Sequence, residues 1–145
     1  MKVPDVNVLL NGRDQTARQH ATARRWLETA LSGSETVGLA WTVLLGFMRI
    51  STSPRVYHQP LSVAEALDQL DEWIDLPSTA LVAPTGRHRT ILRSLIEAAG
   101  TAANLTTDAH LAALAIEHSR VQACRELTSS RHVGHCNARS LSHTG

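Results

Sequence analysis

Short apolar segments alternate along this chain with stretches of helical periodicity, and that alternation excludes most folds before any single residue is weighed. Residues 2–10 (KVPDVNVLL) set apolar residues around one acid and one Asn, the pattern of a short buried strand running into a turn or helix. TVGLA (36–40) and TALVAP (79–84) read as further strands, the last stopped by Pro84. Helical stretches separate them. From Asp14 to Gly33 the chain places Ala23, Trp26, Leu27, Ala30 and Leu31 on one face, with Gly33 set to end the helix. WTVLLGFMRI (41–50) is apolar on nearly every face, which predicts a buried helix. In SVAEALDQLDEWIDL, Ser62 and Glu65 have the spacing of a capping box, and Val63, Ala66, Leu67, Leu70, Trp73 and Ile74 recur at three-and-four spacing. RHRTILRSLIEAAG is a helix ended by Gly100, and NLTTDAHLAALAIEHS opens another at Thr107 or Asp108. The whole order predicts an α/β fold, a three-layer α/β/α domain with a mainly parallel sheet.

A length of 145 residues, 43% of them hydrophobic, supplies the core of one globular domain without help from disulfides or metals. No apolar run approaches the roughly 18 residues of a membrane span, and Met1 opens without a signal-peptide apolar segment, so a cytoplasmic protein with no membrane contact is expected. The net charge of +1 names no partner, being an average over unlike parts. Residues 1–120, the expected domain body, carry 11 basic and 12 acidic residues; residues 121–145, an atypical tail of the same domain, carry 3 and 1. In the tail only VQAC (121–124) has the pattern of a strand. Cys124, His132, His135 and Cys136 match the spacing of no common structural zinc site and read as scattered tail residues.

Parallel sheets gather ligands at the carboxyl ends of their strands, and Asp5 and Asp108 are both expected there. An ionised acid in an apolar segment costs several kcal/mol to bury unless a cation or hydrogen bonds compensate. Two such acids converging from distant elements would attract a hard divalent cation, Mg²⁺ or Mn²⁺. Plainer readings stand beside this one: Asp108 as a helix N-cap, and Asp5 as a turn acid bonded to its own backbone. His110, two residues beyond Asp108, points elsewhere on the helix and reads as partly exposed or supporting rather than as a general base. Arg24, Arg25, Arg49, Arg55, Arg87, Arg89 and Arg93 have the guanidinium fork that fits phosphate, and about a third are expected to touch nucleic acid, the rest forming a solvated face. Trp26, Trp41 and Trp73 fall on expected buried faces and read as core.

Three segments in order, PDVNVLL, WTVLLGFMRISTSPRVYHQPLSVAEAL and NLTTDAHLAALAIEHS, together resemble the VapC toxins of bacterial toxin–antitoxin pairs, which are PIN-domain ribonucleases. The resemblance covers about residues 3–119. It implies an endoribonuclease of a type II module that cuts RNA with Mg²⁺ (or Mn²⁺), leaves 5′-phosphate and 3′-hydroxyl ends, and is restrained by a cognate antitoxin covering the crevice. It also implies a homodimer. On that footing Asp5 and Asp108 are the catalytic, metal-holding carboxylates. Two departures qualify the match: Gly46 stands where many PIN domains carry a Glu, and the family's tail acids are missing after residue 120, with Glu126 near the first of them. An alternative therefore stands beside the nuclease, a catalytically impaired PIN-like protein that still binds its antitoxin.

Overall fold

The structure, a computed structural model, describes residues 1–129, the side chains of residues 104 and 120–129 excepted. The tail's His132, His135 and Cys136, and the side chains of Cys124 and Glu126, lie outside the described residues.

Strand β1 (Val37–Ala40) is buried at all four residues and pairs in parallel with β2 (Thr79–Val82), Val37 opposite Thr79 and Ala40 opposite Val82. On the other side of β1 the expected N-terminal strand is reduced to a single parallel bridge between Lys2 and Val37, held by Lys2 N–H to Thr36 O (3.1 Å) and Gly38 N–H to Lys2 O (2.7 Å). The strand is short because the chain turns helical almost at once. Asp5 caps helix α1 (Val6–Arg13), so the segment expected to be a buried strand running into a turn or helix is helical from Val6 onward. The architecture is the expected α/β one, with a parallel sheet smaller than the pattern suggested.

Helix α2 (His20–Ser32) begins later than its periodicity implies. Asp14 closes α1 and then accepts Thr16 N–H (2.9 Å) and Thr16 Oγ1–H (2.7 Å), a local turn that competes with helix. α1 and α2 pack closely at Gly12, where a Cβ would collide with Leu27 Cδ1. Helix α3 (Trp41–Ser51) starts at the residue after β1 and sends Val43, Leu44 and Phe47 into the core. It is not buried on all sides, as its composition led us to expect. Trp41 is 51% exposed and Leu45 56% exposed, one turn apart on the outer face, so Trp41 is not a core residue. Helix α4 (Val63–Ile74) carries the full Ser62–Glu65 capping box and packs Trp73 edge-on against Phe47, ring centroids 4.8 Å apart.

Helix α5 (His88–Ala99) is amphipathic yet has no fully buried residue, and Gly100 ends it with φ 70°, as a C-terminal glycine should. A 3₁₀ turn (Ala103–Leu105) leads into α6 (Thr106–Ser129), which contributes Leu111, Ala113 and Leu114 to the core. α6 runs on through VQAC. Those four residues are helical, not a strand; with no turn signal between residues 119 and 121, nothing breaks the helix before them. Among the described residues no helix is long and apolar enough to cross a membrane.

Candidate functional site

A crevice of about 500 Å³ lies where the N-terminal segment and β1 end and α3 and α6 begin. This is the carboxyl edge of the parallel strands, where α/β proteins bind ligands. Asp5 and Val6 line it from α1, Thr42, Gly46, Arg49 and Ile50 from α3, Leu92 from α5, and Thr106, Thr107 and His110 from α6.

Asp5 has both of the roles proposed for it that concern position: it is a turn acid and it faces the crevice. Its backbone is extended (φ −82°, ψ 160°), and its Oδ2 accepts Asn7 N–H (3.3 Å) and Asn7 Nδ2–H (2.8 Å). Among the described residues Oδ1 accepts no hydrogen bond, and no cation pairs with the carboxylate. Arg49 lines the same crevice and forms no ion pair among the described residues either. A carboxylate and a guanidinium thus share one crevice without pairing.

Asp108 is the third residue of α6, exposed, and not among the residues lining the crevice. Nor is it an N-cap, because the helix begins two residues earlier at Thr106, whose hydroxyl turns back to Ala102 O (3.1 Å) and Ala103 O (3.0 Å). Its place in the first turn still suits a negative charge, which the helix dipole favours there. The crevice takes His110 from α6 instead, the residue that the spacing had turned away from it.

Gly46 sits against α1. A Cβ there would meet Val6 Cγ2 at 3.2 Å, so the glycine lets α3 approach Asp5's helix closely while offering no carboxylate. Among the described residues no group of three or more His, Cys, Asp and Glu is arranged to hold a metal. The donors that are present still fit one hard cation: Asp5 has a carboxylate oxygen that accepts no hydrogen bond among the described residues, Thr42 and Thr107 line the same crevice, and Mg²⁺ commonly takes only one or two carboxylates, completing its shell with water and substrate phosphate.

Beside the crevice lies a buried polar cluster that sequence reasoning missed. Glu117, 3% exposed, bonds Thr85 Oγ1 (2.6 Å) through Oε1 and His88 Nδ1 (2.9 Å) through Oε2, and His88 Nε2 lies 2.9 Å from His110 Nδ1. Burial pushes the Glu117 carboxyl upward, but the bonds from Thr85 and His88 outweigh it and hold it below its ordinary value of 4.5. Burial and the neighbouring His88 lower His110. One signal was available in the sequence: Glu117 falls three residues after Leu114 on the apolar stripe of α6.

Of the arginines considered for phosphate contact, Arg24 and Arg93 are engaged in i,i+4 pairs with Glu28 and Glu97, and only Arg49 lines the crevice. Comparison with known proteins agrees with the geometry. The family profile described as PIN domain matches residues 2–121. Ribonuclease VapC37 of Mycobacterium tuberculosis is 47% identical over 118 residues, 81% of this chain and 82% of that protein. Ribonuclease VapC33 of the same species is 39% identical over 118 residues, with the same coverage. VapC ribonuclease Mb2897 of Mycobacterium bovis is 36% identical over 115 residues, 79% of this chain and 78% of that protein. With its parallel sheet and relatives of this closeness, the chain belongs to the PIN-domain family and, within it, to the VapC group.

Proposed function

We propose that this protein is the toxin of a type II toxin–antitoxin module, a Mg²⁺-dependent endoribonuclease that hydrolyses phosphodiester bonds in RNA. The observation that carries the reading is the unpaired Asp5 carboxylate beside the unpaired Arg49 guanidinium in one crevice. Asp5 is partly buried and Arg49 exposed, and the two opposite charges line one crevice without an ion pair among the described residues, which leaves each accessible to a ligand of opposite sign. Asp5 would hold the cation, Mn²⁺ being an acceptable substitute, and Asp108, which stands in the first turn of α6 outside the crevice lining, would be its second carboxylate. When bound, the cation polarises the scissile phosphate and lowers the pKa of a water. Asn7 fixes the Asp5 carboxylate by two hydrogen bonds, and Arg49 receives a phosphate oxygen by its guanidinium fork.

The protein works in the cytoplasm as a homodimer bound by its antitoxin. The outer face of α3, where Trp41 and Leu45 stand exposed, supports a protein-contact surface close to Arg49. A second reading is favoured by Gly46: with no carboxylate at that place, the chain is a catalytically impaired PIN-like protein that keeps its antitoxin contact.

Inducible expression in a bacterium, with RNA 5′ ends mapped for the wild type and for Asp5→Ala, separates the readings. The nuclease gives growth arrest and new 5′ ends that vanish in the variant. Soluble expression of the wild type with neither effect refutes it, and antitoxin binding without Mg²⁺ or Mn²⁺ uptake at millimolar concentration in calorimetry then establishes the impaired form.

A further inference from the structure

A second cavity, of about 190 Å³, opens where α1 and α3 end, with Leu10, Phe47 and Leu61 as its apolar walls. The protein leaves its polar lining incomplete. Ser51 is 5% exposed, and its hydroxyl reaches only Met48 O at 3.5 Å, longer than the roughly 2.5–3.0 Å of a good O–H···O bond. Tyr57, the one tyrosine of the chain, is partly buried at the same cavity, and its hydroxyl makes no hydrogen bond among the described residues. Hydroxyls taken out of water ordinarily have partners, so two in one cavity without a good one point to a ligand with a polar edge. Charges at the cavity narrow its chemistry. Asp14 commits Oδ1 to Thr16, which holds its carboxyl below the ordinary value, and its Oδ2 accepts no hydrogen bond among the described residues. Arg13, beside it in the lining, forms no ion pair among the described residues.

We infer that this cavity is a guanine pocket that seats one base of the RNA strand held in the crevice, with Arg13 and Asp14 as specificity-determining residues. A carboxylate oxygen next to a guanidinium calls for a ligand that presents donors and acceptors side by side, and apolar walls call for a flat one. Among the bases guanine alone sets two neighbouring donors, N1–H and N2–H, beside the O6 and N7 acceptors that an Arg fork grips. Asp14 accepts from the donors, and Arg13 donates to O6 and N7. The volume is that of about six waters at roughly 30 Å³ each, the bulk of a single base. Val6, Leu10 and Asp14 follow one another at i+4 on one face of α1. Val6 lines the crevice and Asp14 the cavity, so that face joins the two over about 12 Å. Single-stranded RNA is commonly read in this way, by bases splayed out of the strand into pockets. The guanine assignment stands on the cavity's own lining; that the base belongs to the cut strand rests on the nuclease reading.

Two measurements on the full chain test the inference. In the first, the 5′-monophosphates of guanosine, adenosine, cytidine and uridine are titrated without divalent cation and followed in ¹H–¹⁵N spectra. The guanosine nucleotide should shift the side-chain amides of Gln15 and Gln59, which line the cavity, and bind about 10-fold more tightly than the other three. Asp14→Asn keeps an oxygen for Thr16 and puts an amide donor in place of Oδ2, and should abolish the preference. Arg13→Gln, at an exposed position that tolerates change, should bring the guanosine nucleotide down toward the others. A guanosine nucleotide bound no better than the rest, a preference that survives both variants, or shifts confined to Thr42 and Gly46 of the crevice overturns the inference. So does a response of the two amides to N-acetylargininamide and to no nucleotide, which makes the cavity a seat for a side chain of a partner protein. In the second, the mapped RNA 5′ ends should show a guanine at one fixed offset from the cut with the wild type and none with Asp14→Asn. Cuts indifferent to guanine overturn this inference alone; guanine selectivity in the first measurement with no RNA cut upholds the pocket and counts against the nuclease reading alone.

Discussion

Among the described residues Glu117 is the buried acid. Its side chain is 1% exposed, and its two oxygens are committed to Thr85 and His88. Glu117→Ala should strand both partners, at about 1–3 kcal/mol for each buried polar group left unsatisfied, read as a lower urea midpoint. Glu117→Gln keeps the shape and should cost less. Because the carboxyl lies below its unfolded value of 4.5, the folded protein binds fewer protons there than the unfolded chain. Its stabilising contribution is complete above about pH 4.5 and is lost as pH falls through the lower folded value. Acid titration of stability should therefore be shallower in Glu117→Gln than in the wild type; parallel curves would refute the assignment. At this scale the sequence announced Asp5, since an acid in an apolar run must face a cation, a cap or water. It announced neither partner of Glu117, because Thr85 and His88 lie some thirty residues away and only the packing of α5 on α6 brings them together.

Among the elements, the helices were legible wherever a cap or a stop coincided with a periodic face. Ser62 with Glu65 fixed the start of α4 and Gly100 the end of α5. Ser62→Ala should lower stability by about 1 kcal/mol through loss of the cap. α3 was less legible, because composition reveals that a helix is apolar and is silent on whether another element is present to cover each face; Trp41 and Leu45 are the uncovered part. The junction of α1 and α2 depends on Gly12, where a side chain would meet Leu27 Cδ1 within the core. Gly12→Val should cost about 1–3 kcal/mol from overpacking and displace the helix that carries Asp5. Thermal melts measure the first effect, and chemical-shift changes at Asp5 and Asn7 the second; a variant that melts and resonates like the wild type would show that Leu27 moves aside freely.

For the molecule as a whole, the core gathers around Phe47, which is fully buried and meets Trp73 edge-on within a cluster drawn from α1, α2, β1, α3, α4, β2 and α6. Phe47→Ala should cost about 3–5 kcal/mol and lower the unfolding midpoint of that body in one cooperative transition. α5 stands apart from this cluster: it has no fully buried residue and packs chiefly on α6, where His88 bonds to Glu117. Segments with few buried contacts open locally while the rest of a protein stays folded. Amide protons of α5 should accordingly show lower protection factors against exchange than those of α3, and lower still as pH falls through the lowered folded value of Glu117, where its protonation slackens the bond to His88. Leu92 of that same helix lines the crevice. One wall of the crevice is thus carried by the element least anchored to the core, so the width available to a bound strand follows a local equilibrium that a change of a single proton can shift.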